Sequence, residues 1–207
     1  MTDNGYDTEM LALYQHMVIE RHLIWAQRQA GDPSPWTADS VLSKLKMTNM
    51  FRVLDPGSQF VLSDLRCEDP LDYIVRCVFY RITNLPKTWY AMRNIYFGRY
   101  PVTADFVEQP DALTNRLIQY RDAGNKVFSG AYVIIPNPGV TGSDKVADAV
   151  SLTKSFAENA AEDFLAAKTQ EDRYAALLSV DGLGPFLSMQ ILTDWGYAQA
   201  EDRENDF

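Results

Sequence analysis

The 207-residue chain has few of the side chains that metal and redox sites use. Cys67 and Cys77 are its only cysteines, and His16 and His22 are its only histidines. Because the spacing of the cysteines matches no common zinc-binding pair, we expect neither a metal site nor a cofactor. Two buried thiols in a reducing cytoplasm are the simplest interpretation of the cysteines.

Signals for membranes and for export are also missing. No apolar run approaches the roughly 18 residues that a membrane span needs. The first eight residues are polar and acidic, and they lack the basic and apolar regions of a secretory signal. We therefore expect a cytoplasmic protein with no membrane partner.

The chain has no basic excess, since its net charge is −9. This charge argues against coating nucleic acid with the whole surface, because affinity for phosphates comes from Lys and Arg. The acidic residues are concentrated at the two ends, whereas the middle, from Arg76 to Lys126, is closer to balance. A local basic cleft is therefore still compatible with the sequence.

What is abundant is hydrophobic sequence, at 46% of residues, with 12% aromatic, so the chain can form a sizeable core. Apolar residues recur at three-four spacing, which predicts an all-α fold of nine or ten helices. We predict helices at 6–30, 38–46, 48–61 with a break near 56–57, 71–83, 86–96, 111–121, 144–167, 170–179 and 186–195. Residues 127–135 form one β-like run without an obvious partner strand, and 136–143 are predicted as a loop.

A hairpin motif lies between the last two predicted helices, at about residues 177–192. Its turn reads Val-Asp-Gly-Leu-Gly from 180 to 184. Gly182 and Gly184 allow positive φ and close approach to a phosphate, the next amides can donate to that phosphate, and Leu183 packs between the helices. The alternative is a plain helix corner with a glycine C-cap. Asp181 stands where such hairpins often have Pro, and Pro185 removes one donor amide.

A series of short motifs follows in order from about residue 10 to residue 195. They are Arg21, Pro35-Trp36-Thr37, Thr48-Asn49, Arg52, Asp55, Thr83-Asn84-Leu85-Pro86, Gly130-Ala131-Tyr132, Lys145, Gly182-Leu183-Gly184-Pro185-Phe186 and Asp194. In order and spacing this series resembles the phage amino acid:DNA transferases, also called α-glutamyl/putrescinyl thymine pyrophosphorylases. That family is related to the helical domain of 5-hydroxymethyluracil DNA kinases, within the DNA glycosylase superfamily.

The resemblance implies a two-lobed helix-hairpin-helix fold of the DNA glycosylase type, as one domain over residues 1–207. It implies an enzyme of the phage-infected bacterial cytoplasm that acts on a modified base flipped out of double-stranded DNA. The pyrophosphate of 5-pyrophosphoryloxymethyluracil would be replaced by an amino acid or a polyamine. Such a site needs cations for the pyrophosphate, a base for the amine and an aromatic platform for the nucleobase.

The candidate catalytic residues are Asn49, Asp55 and Asp194. Arg52 and Asp55 lie three residues apart, with Asn49 one turn earlier, so a helix would bring a cation, an acid and an amide to one face. The candidate ligands of substrate and phosphate are Arg21, Arg52, Gln59, Asn84, Tyr132 and Lys145. Each has a structural alternative: an ion pair for Arg52 and Asp55, a pairing with an acid for Arg21, a surface amide for Gln59, a C-cap for Asn84, a core ring for Tyr132 and a solvated cation for Lys145.

The end of the chain departs from the superfamily pattern. The catalytic Asp of that superfamily usually follows the first hairpin glycine by about twenty residues, which here points to Glu204 or Asp206. The chain stops at Phe207, so we expect a truncated C-terminus, an acidic role for Asp194, or a different ending. Two further functions stay open: a DNA glycosylase that excises a modified base, and a non-catalytic DNA-binding module.

Overall fold

In a computed structural model of the protein, residues 7–45, 47–130 and 144–204 are described, the last five of them by their backbone alone. Within these ranges the chain forms ten α-helices and no strand, which confirms the all-α prediction. The helices are α1 Thr8–Ala30, α2 Pro56–Ser63, α3 Pro70–Thr83, α4 Pro86–Ile95, α5 Thr103–Val107, α6 Pro110–Asp122, α7 Lys145–Asn159, α8 Ala161–Ala166, α9 Gln170–Leu178 and α10 Pro185–Glu204. The two-lobed glycosylase-like arrangement stays a prediction.

The boundaries of the longer helices follow from their capping residues. The Asp7 carboxylate accepts hydrogen bonds from the first amides of α1, and Gly31 ends that helix in a left-handed conformation. Asp69 caps α3 in the same way, with Pro70 at the first helical position, where a missing N–H has no cost. These ends lie within two residues of the predicted ones.

The predictions were wrong between residues 38 and 61. The Asp39 carboxylate accepts hydrogen bonds from the Val41 and Leu42 amides, both at 2.8 Å, and residues 40–44 form turns instead of a helix. This bonding is that of an N-cap, but only turns follow it and no helix continues. The predicted helix at 48–61 is reduced to a 3-10 turn, Arg52–Leu54, followed by the short α2.

Three smaller differences lie in the second half. Helix α5 was not predicted, because its five residues are too short to show a period. The predicted helix at 144–167 is interrupted at Ala160, whose φ of −138° is not helical, and the last helix extends to Glu204. The predicted loop at 136–143 and most of the β-like run lie outside the described residues.

Contacts within the chain define two compact units, Met1–Pro56 and Gly57–Phe207. The second unit is built around α3, in which every residue from Tyr73 to Thr83 is buried. Helices α10, α7 and α8 pack against α3. Aromatic rings fill the space between helices, with Phe79 against Trp89 and Phe106, and Trp195 against Tyr73 and Phe164. In the first unit α1 has no buried residue. No helix in the described ranges is both long and apolar enough to cross a bilayer.

Candidate functional site

The first unit contains a pocket of about 150 Å³. The second half of α1 forms one wall, and the segments 34–37 and 42–49 form the others. Two arginines, two tryptophans and several hydroxyl or amide groups line it; those used below are Arg21, Arg28, Trp36, Thr48 and Asn49. The pocket therefore combines positive charge, hydrogen-bond donors and flat aromatic surface.

Arg21 gives the pocket its clearest chemical character. Its Nη2 donates to the backbone carbonyl and, at 3.2 Å, to the hydroxyl of Thr48, so the guanidinium is held in one orientation. Its Nε–H is buried and has no hydrogen-bond acceptor in the described part of the chain. A buried donor without an acceptor is costly, and an anionic oxygen in the pocket would satisfy it.

Arg28 lies seven residues after Arg21, which is two turns along the same face of α1. Its guanidinium stacks over the Trp36 ring at 5.1 Å. The Trp36 indole is itself fixed, because its Nε1 donates to the backbone carbonyl of Asp32 at 2.8 Å. Next to it, the Thr37 hydroxyl donates to the Glu20 carboxylate at 2.5 Å, which ties this segment to α1. The pocket walls are thus joined by polar contacts.

Asn49 lines the same pocket, and its side chain orders the chain that follows. Its Nδ2 donates to the Leu54 carbonyl at 2.6 Å and so closes the turn that contains the 3-10 residues. Arg52 opens that turn, and Asp55 follows it with extended backbone, immediately before Pro56 at the start of α2. Asp55 thus occupies an N-cap position. The structure brings Arg21 and Asn49 together at the pocket, but the described lining residues do not include Arg52 or Asp55.

Asp194 has a different environment, in the interior of the second unit. Its carboxylate accepts two hydrogen bonds from Arg81, at 2.5 and 2.6 Å, and one from the Ser58 hydroxyl at 3.3 Å. Asp194 is 0% exposed and Arg81 is 1% exposed. Burial raises the pKa of the nearby Cys77 thiol well above its usual value, and the negative charge of Asp194 is the second cause of this increase. This geometry is typical of a structural ion pair, and the catalytic role of Asp194 stays a prediction.

The remaining predicted ligands lie elsewhere in the second unit. Asn84 has the left-handed conformation of a helix C-cap, with φ of 48°, and its Nδ2 donates to Ser129 Oγ at 3.2 Å. Lys145 lies 4.4 Å from the centre of the Phe128 ring. Asn84 and Lys145 therefore contact consecutive residues of one loop. Gln59 is exposed on α2, and Tyr132 lies outside the described residues.

The hairpin turn joins α9 to α10 at the predicted place. Gly182 has a φ of +101°, and a Cβ added there would lie 3.1 Å from a methyl carbon of Leu152. Leu183 is buried, whereas Asp181, Gly182 and Gly184 are exposed. The turn therefore presents backbone to solvent, as a phosphate clamp requires, although a helix corner would have the same conformation.

Two features of these sites were missed in the sequence. Arg28 could have been identified from its two-turn spacing from Arg21. Arg81 could have been identified as a charged residue in the otherwise apolar middle of α3, which indicates a buried partner. In the described ranges no group of three or more His, Cys, Asp or Glu side chains is placed to hold a metal ion.

Comparisons with known proteins give one consistent result. The family model described as "5-hmdU DNA kinase, helical domain" matches residues 8–207. The chain is 26% identical over 200 residues to a 5-hmdU DNA kinase from Bacillus phage SP10, which covers 89% of this chain. It spans about 30% of the length of that relative. No solved structure matches the chain.

Proposed function

Because this chain belongs to the family of the 5-hmdU DNA kinase helical domain, we propose that it acts in the hypermodification of thymine in phage DNA. The family match supports this substrate class, since the relative is named for 5-hmdU in DNA. The relative is also named a kinase, but the chain spans only part of it. The function proposed for this chain therefore has to be argued from its own site.

The reaction that we propose is a substitution at the methyl carbon of the modified thymine. The C–O bond of 5-pyrophosphoryloxymethyluracil breaks, and pyrophosphate leaves with the bonding electrons. The nitrogen of an amino acid or polyamine then forms a bond to the same carbon and loses its proton to a base. Cations are needed where the negative charge of pyrophosphate develops, because they stabilise that charge as the bond breaks.

One observation supports this proposal most: the buried Nε–H of Arg21 has no acceptor in the described chain, at a pocket that Arg28 also lines. Two guanidinium groups suit a pyrophosphate, which offers many acceptor oxygens. The Trp36 ring can stack with a flipped base. Asn49 supplies an amide that can read the edge of a base or orient the amine. We assign the phosphate-binding role to Arg21 and Arg28.

The other predicted residues keep narrower proposed roles. Asp55 is the proposed base for the amine, and Arg52, three residues before it, is a third proposed cation. The hairpin at Gly182, Leu183 and Gly184 is the proposed clamp on a DNA phosphate. The Asp194 carboxylate is buried in the ion pair with Arg81, so its proposed role is to position other residues. It would do so through its hydrogen bond with Ser58, which fixes α2, the helix that also carries Gln59.

The test is a product analysis with purified protein. DNA that contains 5-pyrophosphoryloxymethyluracil is incubated with a panel of amino acids and polyamines, and the nucleosides are identified by mass spectrometry. We expect an amine-substituted thymidine and release of pyrophosphate, both of which depend on the added amine. Arg28→Ala should lower product formation at least tenfold, because it removes a cation from the pocket. Lys154→Ala is the matched control, since it removes a cation that forms a partly exposed pair with Glu158 in the other unit.

Three results would contradict the proposal. Abasic sites formed without an amine would identify a glycosylase. Phosphorylation of 5-hydroxymethyluracil with a nucleoside triphosphate would identify kinase chemistry in this domain. Tight binding to DNA with no new nucleoside under any condition would identify a binding module.

A further inference from the structure

The loop between α4 and α5 exposes an aromatic side chain in an unusual way. Phe97 is 100% exposed and has a φ of +56°. Left-handed backbone is disfavoured for residues with a Cβ, and for a bulky residue it is a true outlier. The burial of apolar surface does not explain the position of this ring, because no surface of Phe97 is buried. Both the conformation and the exposure oppose stability, so another reason is needed.

The backbone around Phe97 is held firmly in this conformation. The Gly98 amide donates to the Arg93 carbonyl at 2.8 Å, and the Phe97 amide donates to the Asn94 carbonyl at 3.3 Å. The Arg93 Nε donates to the Gly98 carbonyl at 2.9 Å. The turn is therefore closed from both sides, and the Phe97 ring projects from a fixed base.

Several cationic side chains lie close to Phe97 in sequence. The sequence from Tyr73 to Ala104 contains five Lys or Arg residues and no Asp or Glu, in a chain with a net charge of −9. Arg99 and Arg116 lie over the Tyr96 ring, at 4.9 and 5.0 Å, next to Phe97 in sequence. Arg99 is also paired with Asp105 at 2.6 Å, and half of its side chain stays exposed. Arg93 is exposed as well and stacks on Tyr100 at 5.4 Å.

We propose that residues 93–99 form a DNA-contact loop, in which Arg93 and Arg99 bind backbone phosphates and Phe97 inserts between stacked bases. Apolar wedges beside cations are a recurrent means of unstacking a base step. A rigid, strained presentation suits this task, because strain is retained where the rest of the fold enforces it for function. The proposal rests on the proposed function only in taking duplex DNA as the partner.

The test uses a duplex of ordinary bases with one 2-aminopurine, a base whose fluorescence increases when it is unstacked. Wild-type protein should raise the fluorescence on binding. Phe97→Gly should abolish most of this increase and weaken binding severalfold, while its Tm stays equal or rises because Gly accepts positive φ. Arg93→Ala should weaken binding and reduce the slope of log K against log salt by about 0.9, because it removes one phosphate contact. Ile19→Ala, which removes an exposed apolar side chain in α1, is the control and should change neither reading.

Two outcomes would overturn the proposal. One is an undiminished fluorescence increase with Phe97→Gly. The other is a lower Tm for that variant, which would indicate that the ring is needed for folding or for contact with a protein. The duplex contains no 5-pyrophosphoryloxymethyluracil and the assay contains no amino acid or polyamine, so the result is independent of the proposed chemistry. Loss of the amine transfer with normal unstacking would remove the proposed function and leave the DNA-contact loop in place.

Discussion

The buried ion pair between Arg81 and Asp194 leads to a quantitative prediction for Asp194→Asn. The substitution keeps the size of the side chain but leaves the Arg81 guanidinium, 1% exposed, without its counter-charge. Breaking a buried pair in this way costs about 3–5 kcal/mol, most of it the desolvation of the remaining ion. For a chain of this size each kcal/mol lowers Tm by roughly 2–4 °C. We therefore expect Tm to fall by about 6–20 °C.

The measurement is urea and thermal unfolding, followed by circular dichroism and by tryptophan fluorescence. Trp195, next to Asp194 in sequence, lies against Tyr73 and Phe164 and reports on this region. Asp181→Asn is the matched control, because it removes an exposed carboxylate from the nearby turn. That variant should stay within about 0.5 kcal/mol of wild type.

A double substitution separates the charge effect from a packing effect. Arg81→Met combined with Asp194→Leu removes both charges at similar volume, and it should recover most of the lost stability. The reasoning is refuted if Asp194→Asn unfolds within about 1 kcal/mol of wild type. If that stable variant also failed to form product, the Asp194 carboxylate would act in the chemistry instead of in the core.

Two further predictions concern single residues. Gly182→Ala should lower the free energy of unfolding by about 1–2 kcal/mol, because the added Cβ meets Leu152 and the backbone has positive φ. The measurement is a urea titration. Gly184→Ala is the control, since a Cβ added at Gly184 meets nothing within 4 Å. A loss for Gly184→Ala equal to that for Gly182→Ala would contradict this explanation. The Arg121 guanidinium and the Val146 N–H hold the pKa of Asp144 below its usual range. The ionised Asp144 carboxylate therefore stabilises the fold above about pH 4, and this stabilisation is lost as the pH falls through the pKa that Asp144 has in the folded protein. Asp144→Asn should therefore flatten the loss of stability below about pH 4, measured by unfolding across a pH series, and an unchanged pH profile would exclude this carboxylate as a cause.

Much of the fold follows from local sequence. The helices α3 and α4 show the clearest apolar period, and Gly or Pro residues mark the ends of α1, α3, α4, α6 and α10. The hairpin turn is also evident in the sequence, because Gly182 stands where the backbone has a positive φ. The failure at 48–55 has a local cause too, because the Asn49 side chain binds the Leu54 carbonyl, which a helix would use. At 38–46 the N-cap bonds of Asp39 are present, but only turns follow them.

The candidate site was only partly predictable. The ordered motifs identified Arg21, the Pro35-Trp36-Thr37 segment and Asn49, and these residues line one pocket. The helical stripe predicted to join Asn49 with Arg52 and Asp55 does not form, because the chain there is a 3-10 turn. A spacing of three residues specifies a shared face only if the helix exists.

The sequence by itself determined that this protein is helical, where most of its helices begin and end, and which family motifs it carries. Helix periodicity, caps and turns depend on neighbours within a few residues, so they can be read along the chain. Only the tertiary structure decided that Asp194 pairs with Arg81, 113 residues away, and that Phe97 points into solvent. Burial and long-range partners decide whether a charged or aromatic side chain is structural or available for binding, and neither is encoded in local spacing.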